Sequence, residues 1–465
     1  MFEKIADLYV RVGSPCTAVV IKILLLLLGF FIAAFSIVSQ GPAAALAAIA
    51  YALFISVYTL YIARNNWFLT ILFAFLSYCL YSIMCAQYLD AVGETPYNAF
   101  AGTTVAWRGA TVMLVFMLGL VSVLPVAIAP FSRCSIRYKE PNYLLSIACA
   151  LVVLFVGVFC IEWGEGRITI TNTLYEYSVI LLIVGLYYAS DDKRLLLMYG
   201  AILLFRIYID FSTGNRVTSL EMMTAVFLMR VSWRVSYRTM VPIALVLFVL
   251  LMMVGSLRGD SFSFKTVLAY FESLICDKKL AWDGAYSAYH SSLAMLASEM
   301  AFPYLERILA FPAYLLSLTV VPANMSGLAN PTAIMQSMHW NMGGTYFPFY
   351  FHFYLGLAGV LITAVLLGML LRFVAFPESS KRLSTSVGTL TIVWIAAAQF
   401  RWIQYEPTSL LRGAFLMSIL SLAAQVMARF IEEHDALRFL RGRSSDGSGI
   451  EAPGQRPVDS MDKTD

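Results

Sequence analysis

Long apolar runs separated by short polar turns dominate this chain. A hydrocarbon core of about 30 Å takes roughly 20 helical residues, and Ala18 to Val38, Ala43 to Ala63, Trp67 to Gln87, Thr111 to Ala129 and Tyr143 to Ile161 meet that length. Three shorter runs follow, Thr173 to Ala189, Leu195 to Tyr208 and Val217 to Val231, two of which could pair as a re-entrant hairpin. Met240 to Leu257, Tyr346 to Phe373, Val387 to Trp402 and Leu410 to Arg429 bring the set to about twelve predicted spans at that residue requirement. The first run is too long for the apolar part of a signal peptide, and no small-residue cleavage site follows it, so it is expected to be a retained helix.

One connection breaks the rhythm. Ser256 to Thr345 spends about ninety residues outside the spans, against the handful typical of a loop. Within it, Phe302 to Pro322 is aromatic and half apolar but interrupted by Pro303, Glu306, Arg307 and Pro312. Such a segment suits a helix lying in the membrane interface or covering a cavity. The expected organisation is a single transmembrane domain over 1–430, with the loop 256–345 between the ninth and tenth spans. A partly disordered tail, 431–465, is rich beyond Gly442 in Ser, Gly, Asp and Pro.

Composition excludes the soluble alternatives. Hydrophobic residues make up 60% of the chain and charged ones 13%, with a mean hydropathy of +0.76; a soluble domain carries about 25% charge. Fold class is therefore all-α, a polytopic membrane protein with no separate soluble domain. The net charge of +4 is too small to argue for a nucleic-acid partner, so its distribution matters more. With the N-terminus, Lys4 and Arg11 in the cytoplasm, alternation puts Arg64, then Arg133, Arg137 and Lys139, then Lys193 and Arg194 inside. Arg230, Arg234 and Arg238, then Lys381 and Arg382, and finally Arg438, Arg441 and Arg443 follow on the same side. Dropping any span would put a basic cluster on the wrong side, so both termini are expected in the cytoplasm and the long loop outside. The seven cysteines show no CxxC pair and no metal-like spacing, and are expected to be packing residues.

Candidate chemistry is then sought where positive charge is out of place. Arg206, Arg216, Arg258, Arg401 and Arg412 stand at or near the outer helix ends. Arg216 ends the turn Ser212-Thr213-Gly214-Asn215, and Arg258 is followed by Gly259 and Asp260. A guanidinium keeps its charge and presents a planar fork that matches phosphate oxygens. Arg206 and Asp210, four apart, also form a plausible helical ion pair. Gly343-Gly344-Thr345-Tyr346 closes the long loop, and Phe351-His352-Phe353-Tyr354-Leu355-Gly356-Leu357-Ala358-Gly359 runs into the next span. His352, Glu406 and Asp260 are the candidate bases; His290 and His339 are unassigned. No metalloprotease, P-loop, serine-hydrolase or Cys/His metal signature is present, and no metal or other cofactor is expected.

Gly-Asn215-Arg216 before a late helix, Leu-Arg258-Gly at the head of the large loop, Gly-Gly344-Thr345, and Tyr354-Leu-Gly-Leu-Ala-Gly359 together resemble the O-antigen polymerases, the Wzy-like oligosaccharide repeat-unit polymerases. The resemblance covers about Arg206 to Gly413. It departs where such proteins often carry an acidic residue or asparagine before the Gly-Leu-x-Gly segment; here His352 and Tyr354 stand. The resemblance implies a GT-C-like helical glycosyltransferase of the bacterial inner membrane. It would transfer a glycan from undecaprenyl diphosphate to a new lipid-linked repeat unit at the periplasmic face, without a metal. Arg216 and Arg258 would hold the diphosphates and His352 would join them in catalysis. Arg206, Arg401, Arg412, Asn215, Gly344 and Tyr354 would bind substrate, and a chain-length regulator would be a partner.

Two other readings stay open. An O-antigen ligase would perform similar chemistry onto lipid A core, with His339 or His352 as its histidine. A flippase or other transporter would place charges at the bilayer midplane and show repeated halves. Here Lys22, Arg206 and Glu221 all lie near span ends and no repeat is evident.

Overall fold

The computed structural model describes residues 15–92, 100, 102–128, 136–164, 167–170, 174–213, 216–232, 234–243, 246, 284–319, 327–339, 344–375 and 386–445. For 15–16, 89–92, 163–164, 167–170, 216, 284, 386 and 434–445 it describes the backbone alone. The first eight helices are α1 (Pro15–Ser39), α2 (Pro42–Ala63), α3 (Trp67–Val92), α4 (Thr104–Val123), α5 (Tyr143–Phe159), α6 (Leu174–Tyr188), α7 (Lys193–Thr213) and α8 (Arg216–Val226). α8 continues through a π turn at Phe227–Val231. One antiparallel hairpin, β1 (Ile161–Gly164) with β2 (Arg167–Ile170), joins α5 to α6 and pairs Ile161 with Ile170. The remaining helices are α9 (Gly284–Ser298), α10 (Tyr304–Thr319), α11 (Pro331–Met338), α12 (Phe347–Ala375), α13 (Ser386–Ala397), α14 (Gln399–Trp402) and α15 (Thr408–Ser445).

Seven of the described helices (α1 to α4, α7, α12 and α15) are long and apolar enough to cross a membrane, and α5, α6 and most of α13 are shorter apolar helices. Their outward faces carry bare apolar side chains, Phe31 at 69% exposure, Leu366 at 60% and Val426 at 61%. Water would penalise such a surface and lipid accepts it. α4 sits in the middle, packed on α1, α2, α9 and α12. Gly119 and Gly368 let α4 and α12 approach, since a Cβ at Gly119 would lie 2.8 Å from the Ala364 Cβ and one at Gly368 2.7 Å from the Leu120 carbonyl oxygen.

Local chemistry moves several boundaries away from the apolar runs. α4 was expected over Thr111 to Ala129 and instead spans Thr104–Val123. Pro125 is the reason: the residue before a proline is pushed out of the helical region, and Leu124 sits at φ −64°, ψ 145°. The shift brings Arg108, placed by the sequence in a loop, into the first turns of the helix. α7 is longer than its apolar run because Asp192 caps it, its Oδ1 accepting from the amides of Arg194 and Leu195, both at 2.9 Å. Val387 to Trp402 is not one helix but two, parted at Ala398. α15 runs on past 430 to Ser445 through residues with no Gly or Pro before Gly442, and its apolar part is Thr408–Glu433. Residues 446–465, like the expected span beyond 246, lie outside the described residues.

Helix termini gather into two ends. At one, the Lys22 ammonium donates to the Ser122 carbonyl (2.9 Å), Asn66 donates to the Val374 carbonyl (2.9 Å), and Tyr138 donates to Glu432 (2.7 Å). Trp67 packs edge-on to Phe227 there, with ring centroids 5.1 Å apart. At the other end lie the end of α1, the starts of α4, α8, α12 and α15, and the helices α9 to α11, which cap the bundle. The expectation that Phe302 to Pro322 forms a covering helix meets α10, which has Pro312 inside it, packs on α12 and α15, and turns Leu305, Leu309 and Leu316 outward.

Candidate functional site

A cavity of about 480 Å³ opens at the capped end, lined by the end of α1 (Ser36, Ile37, Gln40), by α4 (Trp107, Arg108, Thr111), and by α10 and α12. At its wall is one carboxylate held by three cations or potential cations. Glu299, 5% exposed in its side chain, lies 2.8 Å from the Arg108 guanidinium, 3.3 Å from that of Arg307 and 2.9 Å from His352 Nδ1. Two guanidiniums against one carboxylate leave a net positive charge even with His352 neutral. His352 is buried in the wall and Arg307 half-buried there, while the Arg108 side chain is 42% exposed, so the uncompensated charge faces the opening. An ionised carboxylate only accepts hydrogen bonds, so Nδ1–H of His352 is the donor toward it, and in the neutral imidazole Nε2 is then the nitrogen without a proton.

The wall is shaped by a broken helix. Within α12, Gly356 adopts φ +62°, ψ −154°, a conformation open essentially to glycine alone. The break bends the helix so far that a Cβ at Gly359 would lie 2.6 Å from the Phe351 carbonyl oxygen. It also leaves carbonyls of the preceding turn without regular partners. α10 supplies them: Arg307 donates to the Phe353 carbonyl, and the Tyr304 hydroxyl donates to that of Leu355 at 3.3 Å. Gly356 and Leu357 line the cavity, so the bend, the arginine and the histidine form one construction.

The arginines chosen from the sequence fare differently. Arg206 is fully buried, stacks on the Tyr175 ring at 3.7 Å, and donates to the Tyr175 carbonyl (2.8 Å) and Ser178 hydroxyl (2.9 Å). The expected ion pair with Asp210 is not formed. Asp210 instead accepts from the Tyr175 hydroxyl (2.9 Å) and Ser219 (2.8 Å). Arg401 is clamped by Glu176 at 2.6 Å and by the buried Glu221 at 3.3 Å. Arg412 donates to the Ser317 carbonyl at 2.6 Å and ties α15 to α10. All three are engaged by groups of the fold itself, and none of them lines the cavity.

Tyr354 is likewise engaged within the fold. It is fully buried, its hydroxyl donates to the Leu328 carbonyl at 2.8 Å, and its ring stacks on Tyr314 at 4.7 Å. Gly344 has φ +72°, and a Cβ there would lie 2.6 Å from the Gln404 carbonyl oxygen, so it serves a tight turn that docks on residues 403–405. Glu406 is half-buried in that neighbourhood, on the turn before α15. Arg216 opens α8, but its side chain lies outside the described residues, as do Asn215, Arg258 and Asp260. Of the sequence candidates whose side chains are described, His352 alone lines the cavity. His290 is buried beside Phe100, with ring centroids 5.3 Å apart, and burial followed by the nearby His339 holds it below the usual histidine range.

Arg108, Glu299 and Arg307 were missed. Arg108 carries the same signal as the five arginines singled out, positive charge next to an apolar run, but its apolar run begins only at Thr111. Arg307 shows in the sequence only as an interruption of an apolar segment. Glu299 gives no signal in the sequence. Among the described residues, no group of three or more His, Cys, Asp or Glu is placed to hold a metal ion. Comparison with known proteins returns no match: no family model, no curated protein and no solved structure is similar to this chain. The fold and site therefore define a helical protein with seven described helices long and apolar enough to cross a membrane and a charged cavity at one end of its bundle.

Proposed function

We propose that this protein is a metal-independent membrane glycosyltransferase that polymerises undecaprenyl-diphosphate-linked oligosaccharide repeat units at the periplasmic face of the inner membrane. The observation that carries the reading is the cavity in which an arginine-rich wall stands beside a histidine oriented by a carboxylate. In the proposed step, His352 Nε2 takes the proton of the acceptor sugar hydroxyl as its oxygen attacks the anomeric carbon of the donor. The bond from that carbon to the diphosphate oxygen breaks, and the electron pair leaves with the lipid diphosphate. Arg108, with Arg307 behind it, stabilises the charge that develops there. This moves the diphosphate role from Arg216 and Arg258 to residues whose side chains share a cavity with the base.

The proposed architecture is GT-C-like, with twelve spans and both termini cytoplasmic. It is supported by the grouping of helix termini: Tyr237 stacks on Trp67 at one end of the bundle, while the Ala285 carbonyl accepts from Tyr346 at the other. A ninth crossing between them fits. A chain-length regulator is a proposed partner. Deleting the gene and separating the cell-surface glycans by electrophoresis tests the function. Loss of a polymerase leaves core capped with one repeat, whereas bare core would point to the ligase or flippase instead.

A further inference from the structure

One side of the cavity takes no part in the chemistry assigned so far. There the end of α1 is pinned to α4 by the Ser36 and Thr111 hydroxyls, 2.8 Å apart. Residues four apart share a helix face. Gln40, four beyond Ser36, and Trp107, four before Thr111, therefore stand one turn closer to the capped end on those two faces. Both line the cavity, with His352 and Arg108.

Neither side chain is used up by the fold. Gln40 closes α1 at φ +40°, in the left-handed region that glycine accepts and other residues resist. A glycine at 40 would relax that turn, so the turn does not account for the side chain. The residue is exposed, and its carboxamide has no partner among the described residues. Trp107 packs against the core yet stays half-buried. Its ring and its Nε1–H have no partner among the described residues either.

We propose that Gln40 and Trp107 form a sugar-binding subsite, in which a pyranose ring lies on the Trp107 indole and Gln40 bonds its neighbouring hydroxyls. A carboxamide both donates and accepts, as each sugar hydroxyl does. The C–H face of a pyranose is apolar and leaves water favourably on an aromatic ring. A bare lipid tail would use the ring and leave the carboxamide unmatched; a free phosphate would use the amide N–H and leave the ring. The choice of ligand rests on the glycosyl-transfer reading above, but binding at the subsite can be measured without turnover.

The test is saturation-transfer NMR of the full chain in phosphatidylcholine nanodiscs, which carry no sugar headgroup. The probe is the repeat-unit oligosaccharide cut from the source cells' own surface polysaccharide. The wild type should saturate the C–H protons of one ring face. Trp107→Ala should weaken binding roughly tenfold or more, the usual cost of truncating an aromatic anchor. Gln40→Gly relieves the turn, so its melting temperature should hold or rise while affinity falls roughly threefold to tenfold, the worth of a hydrogen bond. That variant keeps the proposal testable if Trp107→Ala fails to fold. Equal affinity in wild type and Gln40→Gly, or no binding by the wild type, would overturn the subsite. Binding that both substitutions weaken, in a protein whose gene deletion leaves bare core, would uphold the subsite and overturn the polymerase. Polymer made by both variants with an unchanged KM would do the reverse.

Discussion

Two clusters of arginine and carboxylate stand at the same end of the bundle and are built to opposite ends. Around Arg401 and Arg206, three carboxylates (Glu176, Glu221 and Asp210) meet two guanidiniums. Arg206, Asp210 and Glu221 are 0%, 0% and 1% exposed. Around Glu299 the ratio inverts, with two guanidiniums and an imidazole to one carboxylate, and Arg108 opens onto a cavity. The first cluster leaves no positive charge unmatched in holding α6, α8 and α14 together; the second keeps positive charge to spare. An arginine at an outer helix end is therefore not a sign of ligand binding by itself. The local balance of charge, and an opening for a ligand to enter, decide.

The largest expected effect breaks the closed cluster. Arg401→Gln strands Glu221 and Glu176, and removing one partner of a buried pair costs about 3–5 kcal/mol. It should appear as a lower melting temperature in detergent and poor accumulation in the membrane. Arg206→Lys belongs to the same class, since it loses the fork that reaches Tyr175 and Ser178 along with the stacking. At the open cluster, Arg108→Gln should change stability by no more than about 0.5 kcal/mol. If Arg108→Gln and Arg401→Gln melt alike, the contrast between the clusters is wrong.

Next in size is the loss of function at the open cluster without loss of fold. Arg108→Gln should lower polymer formation by purified protein roughly a hundredfold, the usual cost of one donor to a developing anion, or about 3 kcal/mol. Arg108→Lys should rescue little, because an ammonium keeps the charge but not the planar fork. Polymer made at the wild-type rate by either variant would remove Arg108 from the chemistry.

The bend in α12 tests how the cavity is made. Gly356→Ala forces a side chain into a positive-φ conformation open essentially to glycine, at about 1–3 kcal/mol, or else straightens the helix. Straightening would withdraw the Phe353 and Leu355 carbonyls from Arg307 and Tyr304. A moderate fall in melting temperature with a larger fall in activity is expected. An unchanged melt would mean that the bend is not held by this glycine.

Apolar run length made the membrane class and most helices legible, because a span is specified by a one-dimensional property. Boundaries were less so: Pro125 moved α4 and Asp192 extended α7, and both act through backbone geometry or capping. The site was the least legible. His352 was found because it is polar in an aromatic run. Glu299 and Arg307 come together with it only through the bend at Gly356, and Arg108 only through the shift of α4. Residue spacing records none of those approaches, whereas Arg206 and Asp210, four apart, looked paired and are not.

Tyr354 gives the smallest and sharpest test, because it follows His352 by two positions and yet belongs to the framework. Its ring is packed between Tyr314 and Phe311, and its hydroxyl reaches only the Leu328 carbonyl. Tyr354→Phe keeps the ring and deletes one hydrogen bond, worth about 1 kcal/mol. The melting temperature should fall slightly and polymer formation should stay at the wild-type level, while His352→Gln, two residues away, should abolish it. A Tyr354→Phe variant that folds normally but makes no polymer would return that hydroxyl to the substrate. The site would then extend along α12 past the bend, and the boundary drawn here between framework and cavity would have to move.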